Sequence, residues 1–117
     1  MAQFRSKPFG VTRDGEKVNE YIMSNPGGLA VSVLNYGCII KNIWVPTKSG
    51  PVDVVLGYGT AADYELNTDS MGAAVGRFAN RIGGAQFPLY EEIVHVTPNS
   101  AGNCLHSGLH GFNHALF

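Results

Sequence analysis

The sequence predicts an all-β fold, an antiparallel β-sandwich, and three observations carry that reading. Apolar residues alternate with polar ones at period two in several short runs, the pattern of a strand with one buried face rather than of a helix. Turn residues punctuate the chain about every ten positions, as expected of a sandwich assembled from some seven short strands. Only one stretch, Thr60 to Leu66, carries a convincing helix-start signature.

Phe4 to Ser24 reads as two strands around a tight turn at Asp14-Gly15, where glycine supplies the positive φ that such a turn demands. In the second of them Val18, Glu20, Ile22 and Ser24 alternate with Asn19, Tyr21 and Met23. Asn25-Pro26-Gly27-Gly28 stops that strand, because proline removes a donor and the glycines favour a turn. Leu29 to Asn35 alternates again and predicts a third strand with one wetter face. After a break at Tyr36-Gly37, the β-branched run Cys38 to Val45 predicts a fourth, ended by Pro46 and the turn Thr47 to Gly50.

Pro51 to Tyr58 is expected as the next strand, with Val52, Val54 and Leu56 on one face. Its Asp53 has two readings, a catalytic carboxylate or a structural group that caps a turn or pairs across strands, and the structural one is favoured. Thr60-Ala61-Ala62-Asp63 offers a capping box for a single helical turn. Met71 to Val75, short and apolar, predicts a buried strand that delivers the polar cluster beginning at Arg77 to the end of a sheet. Ala85 to Tyr90 and Ile93 to Thr97 predict a hairpin around Glu91-Glu92, a chemically poor turn, with Pro98 to Gly102 as loop. No repeat or linker divides the 117 residues, which read as one domain or a piece of one.

Composition narrows the function classes. Eight basic residues against nine acidic ones, net −1 and scattered, give nothing that attracts a nucleic acid or an anionic membrane. Apolar runs fall far short of a bilayer span, and Met1-Ala2-Gln3-Phe4-Arg5 has no signal-peptide core, so a soluble, cytoplasmic chain is expected. The two cysteines, Cys38 and Cys104, fit free thiols in a reducing compartment better than a disulfide framework.

Chemistry concentrates in Gly76-Arg77-Phe78-Ala79-Asn80-Arg81-Ile82 and in Asn103-Cys104-Leu105-His106-Ser107-Gly108-Leu109-His110-Gly111-Phe112. Each sets ionisable or amide side chains among glycines and flat apolar residues, as a site for a neutral, hydroxyl-rich ligand requires. Arg81 either donates a fork to vicinal hydroxyls or a ring oxygen, with Asn80 beside it, or pairs with a carboxylate such as Asp53 or Asp69. Neighbours on an extended chain face opposite ways, so Asn80 and Arg81 reach one ligand only across a bend or bulge. His106 either hydrogen-bonds a hydroxyl and exchanges a proton near neutral pH, or is a surface loop residue without a role.

His106, His110 and His114 have the spacing of one helical face, which would suggest zinc, but Gly108 and Gly111 discourage a helix there. No metal and no cofactor is expected, and His95 is read as a residue on the wet face of a strand. Phe78, Phe112 and Phe117 have the chemistry to stack on a sugar ring, with core packing the favoured fate of each.

These two motifs resemble the galactose mutarotase (aldose 1-epimerase) family pattern, G-R-x-A-N-R-I followed some two dozen residues on by N-x-L-H-G-G-x-x-G-F. Asn35-Tyr36-Gly37, the turn from Pro46 to Gly50, Asp53-Val54-Val55-Leu56-Gly57-Tyr58 and Tyr64 extend the likeness over almost the whole chain. The resemblance implies the N-terminal portion of a mutarotase-like β-supersandwich that interconverts hexose anomers by acid–base ring opening without a cofactor. It assigns Asn80, Arg81 and His106 to hexopyranose binding. It implies that the proton-transferring histidine and glutamate come from downstream segments with no counterpart in these residues, so the chain alone is expected to be inactive. Departures are Ser107 where the family favours glycine, Asn113-His114 for Asp-Lys, and Tyr90-Glu91-Glu92 for Asp-Gly-Lys. The competing expectations are a non-catalytic sugar-binding or interaction module on the same half-sandwich, and self-association through an open apolar sheet face.

Overall fold

Strands β1 (Gln3–Val11), β2 (Lys17–Ser24), β3 (Ala30–Leu34), β4 (Ile40–Thr47) and β5 (Gly50–Asp53) form one antiparallel sheet in sequence order. The structure is a computed structural model covering residues 1–117. The hairpin between β1 and β2 turns where the sequence places it, with Gly15 at φ 82°. Beyond the sheet come α1 (Ala61–Glu65) and two antiparallel ribbons, β6 (Arg81–Ile82) with β9 (Cys104–Leu105) and β7 (Gln86–Leu89) with β8 (Glu92–His95). The all-β, antiparallel expectation holds, and α1 is the single α-helical turn expected.

One face of the large sheet carries the core. Alternation along β2 and β3 sends Val18, Ile22 and Leu34 inward, where Tyr36 and Ile39 join them and Ala61 and Tyr64 of α1 close over them. Each such aliphatic side chain, fully buried, contributes about 1.5–3 kcal/mol. Thr60 starts α1 as the capping box predicts, its hydroxyl accepting from the Asp63 N–H at 3.1 Å. Tyr64, 1% exposed, packs edge-on against Tyr58 and accepts the Tyr58 N–H on its hydroxyl at 3.0 Å.

Glu20 points into this same face and is only 2% exposed. Lys7 Nζ at 3.2 Å and Lys41 Nζ at 3.6 Å compensate its charge. Burial alone would raise the carboxyl's pKa, but hydrogen bonds from Ser32 and Lys7 and the charges of Lys41 and Lys7 outweigh it and hold the group below the ordinary glutamate range. The opposite face of the sheet is apolar as well. Register aligns Phe4, Met23, Val31 and Ile43 in one row across four strands, and Phe4 and Met23 remain 68% and 44% exposed.

Several boundaries depart from expectation for identifiable reasons. β4 begins at Ile40, not Cys38, because Cys38 takes a positive φ of 46° at the Tyr36-Gly37 break. β5 ends at Asp53 instead of running to Tyr58. The Asp53 carboxylate turns back to accept from the Ile43 N–H at 3.0 Å, the Val55 N–H at 3.3 Å and the Asn42 amide. Those bonds, the Asn42 one foremost, lower its pKa and establish the structural role favoured for it. Met71 to Val75 is not a strand. Ser70 at φ 53° and Gly72 at φ 72° coil it, and it docks on the Gly37–Ile40 loop through Gly72 C=O and Ala74 N–H. The β7–β8 turn is centred on Tyr90-Glu91, with Tyr90 supplying the positive φ, one residue earlier than predicted.

Candidate functional site

The two motif segments meet at the β6–β9 ribbon. Arg81 lies opposite Leu105 and Ile82 opposite Cys104. One step further along, the backbones of Asn80 and His106 face each other, and the His106 N–H donates to the Asn80 C=O at 3.0 Å. In return the Asn80 N–H donates to Nδ1 of the His106 ring at 3.0 Å. A nitrogen that accepts a hydrogen bond carries a lone pair, so the neutral ring holds its proton on Nε2 and keeps that nitrogen as its donor.

The bend that Asn80 and Arg81 need is at Asn80 itself, which sits at φ 60° in the left-handed region. His106 at φ 50° and Ser107 at φ 71° do the same on the facing segment. Three non-glycine residues in this conformation, side by side across a ribbon, amount to local strain of the kind that collects at functional sites. Asn80, Arg81 and His106 are all exposed. Arg81 forms no ion pair, the ion pairs being Lys7–Glu20, Arg13–Glu65 and Lys41–Glu20. Asp53 is engaged with Asn42 and Ile43, and Arg81 pairs with neither Asp53 nor Asp69, the two carboxylates weighed for it.

Side chains satisfy backbone groups around this ribbon, a role the sequence reading did not give them. The Asn99 amide donates to the Leu105 C=O at 2.9 Å and accepts the Leu105 N–H at 2.6 Å. The Asn103 side chain accepts the Gly84 N–H at 3.1 Å. Ser107 Oγ accepts the Phe78 N–H at 2.8 Å and donates to the Phe78 C=O at 3.0 Å. The only sequence signal for these was the clustering of short polar residues near glycines, which marks turns in general. Gly76 has a steric reason as well: a Cβ there would lie 2.4 Å from the Phe112 ring. Phe112 is half-buried, edge-on to Phe117 and under the Arg77 guanidinium at 5.6 Å. Core packing does not describe Phe78 and Phe117, which are 36% and 58% exposed.

The other histidines separate from His106. Gly108–His110 and Phe112–His114 are single 3₁₀ turns with Gly111 extended between them, so the three imidazoles do not share a helical face. His95 is exposed on β8, as read. His114 Nδ1 lies 3.3 Å from the Tyr36 hydroxyl, with the imidazole tautomer setting which of the two donates, and burial and the charges of Glu65 and Glu16 push the phenol's pKa up. A cleft of about 530 Å³ lies beside the ribbon, walled by His106, Gly108 and Leu109 on one side and by Asn67, Thr68 and Ser70 on the other. It reaches the cluster at His106, while Asn80 and Arg81 lie outside it. Its one acid, Glu65, is occupied by the backbone N–H and side chain of Arg13.

The structure thus gathers an amide, a guanidinium and an imidazole, all exposed, on one strained ribbon of an antiparallel β protein. The family model described as aldose 1-epimerase matches residues 19–116, and the chain belongs to that family. It is 33% identical over 101 residues to a maltose epimerase of Levilactobacillus brevis, covering 86% of this chain and 30% of that protein. Over 110 residues it is 33% identical to a galactose mutarotase of Mus musculus, covering 93% of this chain and 32% of that protein. The crystal structure of a galactose 1-epimerase from Lactobacillus acidophilus superposes with a TM-score of 0.82 at 25% identity, over 99% of this chain and 33% of that one. The chain thus spans about a third of the length of the relatives it matches.

Proposed function

We propose that this chain supplies hexopyranose-binding groups of an aldose 1-epimerase that interconverts the α and β anomers of sugars such as galactose and glucose. The observation that carries the reading is the reciprocal Asn80–His106 pair at 3.0 Å, which leaves Nε2–H as the donor of the neutral ring, one ribbon step from the Arg81–Leu105 pair. Arg81 donates to two oxygens of the ring or its vicinal hydroxyls, Asn80 donates and accepts beside it, and His106 donates through Nε2. Anomer exchange by ring opening needs an acid and a base that trade protons near working pH. His106 has no carboxylate hydrogen-bonded to it, and Nδ1 is already committed to the Asn80 N–H. On this proposal the 117 residues bind sugar and do not by themselves accelerate mutarotation. A cytoplasmic setting, expected from the composition, belongs to the same proposal.

Polarimetry of fresh α-D-glucose or α-D-galactose tests it. The 117-residue chain leaves the rate at its buffer value; clear acceleration would overturn the assignment of proton transfer to groups outside these residues. Calorimetric titration with the same sugars separates this reading from an inert fragment, since heat of binding is expected and its absence would count against the site.

A further inference from the structure

Ser107 stands where the family pattern has glycine, in a backbone conformation, φ 71°, that glycine adopts freely and serine does not. A residue that carries strain and keeps a side chain needs a reason for the side chain. The hydroxyl provides one, because it meets both backbone groups of Phe78, accepting its N–H at 2.8 Å and donating to its C=O at 3.0 Å. One hydroxyl thereby does toward Phe78 what a residue on a neighbouring strand would do.

Phe78 is two residues before Asn80, and Ser107 follows His106 directly. The Ser107–Phe78 pair and the Asn80–His106 pair therefore close a small ring of four hydrogen bonds between the two motif segments. Neither the Phe78 nor the Asn80 N–H has another partner, and Phe78, Asn80 and His106 are all exposed, so no packed core holds them in register. Without the hydroxyl, the chain from Gly76 to Ala79 keeps only the Gly76 C=O bond to the Phe112 N–H, and the Asn80 N–H is held toward the imidazole from one side alone, by the Asn80 C=O bond to the His106 N–H and the β6–β9 pairing beyond it.

We infer that Ser107 is a positioning residue for the sugar site: its hydroxyl holds the Asn80 backbone against His106 and so keeps the imidazole as a fixed Nε2–H donor. It touches no ligand and acts through Phe78 and Asn80. The inference rests on the reading of His106 as a sugar contact, and its test separates the two.

The measurement is long-range ¹H–¹⁵N correlation of the histidine rings in the 117-residue chain, at a pH of about 8 where a free imidazole is neutral. Wild type gives one set of His106 signals with an unprotonated Nδ1 and a protonated Nε2, and the Asn80 amide exchanges slowly. Ser107→Ala keeps the strained backbone and loses the hydroxyl; Ser107→Gly loses the hydroxyl and relieves the strain. In both, the two ring nitrogens move toward an averaged tautomer mixture and the Asn80 amide exchanges roughly tenfold faster, the scale of losing about one hydrogen bond. Retention of the wild-type ring pattern and Asn80 protection in Ser107→Gly would overturn the inference, because the backbone conformation alone would then suffice. The glycine variant decides even if Ser107→Ala fails to fold. D-Galactose added to the wild type shifts the His106 Nε2 signal. Should the ring pattern collapse in both variants while galactose leaves Nε2 unmoved, the clamp would stand and the sugar reading would fall.

Discussion

Glu20→Gln is the substitution whose consequence the structure states most fully. It preserves shape, removes one charge from a side chain that is 2% exposed, and leaves Lys41 and Lys7 without their acid. Breaking a fully buried ion pair on one side costs about 3–5 kcal/mol. Here Lys7 is 60% exposed and regains water, so its share is small, and Lys41, 17% exposed, keeps the Asn42 Oδ1 as acceptor at 2.8 Å. The expected loss at pH 7 is accordingly about 2–4 kcal/mol. At about 4 °C per kcal/mol for a domain of this size, Tm falls by roughly 8–16 °C.

The pH dependence follows from the lowered pKa. The folded carboxyl releases its proton more readily than the unfolded one, so the unfolded chain binds more protons just below the ordinary glutamate value of 4.5. Wild-type stability from this group is complete above that value and is lost as pH falls through the folded pKa. A protonated Glu20 resembles glutamine, so urea melts followed by circular dichroism should show a gap between wild type and variant at pH 7 that closes in acid. A gap of equal size at both ends, or a glutamine variant as stable as wild type at pH 7, would refute the reasoning.

Tyr64→Phe leaves the Tyr58 N–H without its 3.0 Å acceptor and should cost about 1–3 kcal/mol in the same urea melts, with no change in the sheet's circular dichroism. Thr60→Ala removes the cap of α1 and should cost about 1 kcal/mol, whereas Thr60→Ser should cost little. The open row through Phe4, Met23, Val31 and Ile43 predicts concentration-dependent association of the 117-residue chain. Met23→Lys should weaken it roughly tenfold by placing a charge in the contact, and sedimentation of a wild-type monomer at every concentration would contradict the prediction.

The large sheet was legible, apart from the start of β4 and the end of β5, because its strands and turns follow local rules. Val18, Glu20 and Ile22 alternate against Asn19, Tyr21 and Met23, Gly15 turns the first hairpin, and Thr60 with Asp63 announces α1. What periodicity could not show was set by partners far along the chain. β6 and β9 are two residues each, too short to display a period, and exist because Arg81 and Ile82 find Leu105 and Cys104. Met71 to Val75 is apolar enough for a strand but is coiled by Ser70 and Gly72. For the proposed site, Asn80, Arg81 and His106 were chosen from residue type and the motif they resemble, and the structure brings Asn80 and His106 into contact. The clamps made by Ser107, Asn99 and Asn103 depend on which backbone each side chain meets, and a sequence does not contain that geometry.

The most direct test of the central claim is a D-galactose titration of the ¹⁵N-labelled chain, with Arg81→Ala alongside. The account predicts saturable shifts centred on Asn80, Arg81 and His106. It predicts affinity roughly 10- to 100-fold weaker in Arg81→Ala, the size of a lost charged hydrogen bond. Shifts centred elsewhere, or equal affinity in the two proteins, would contradict it.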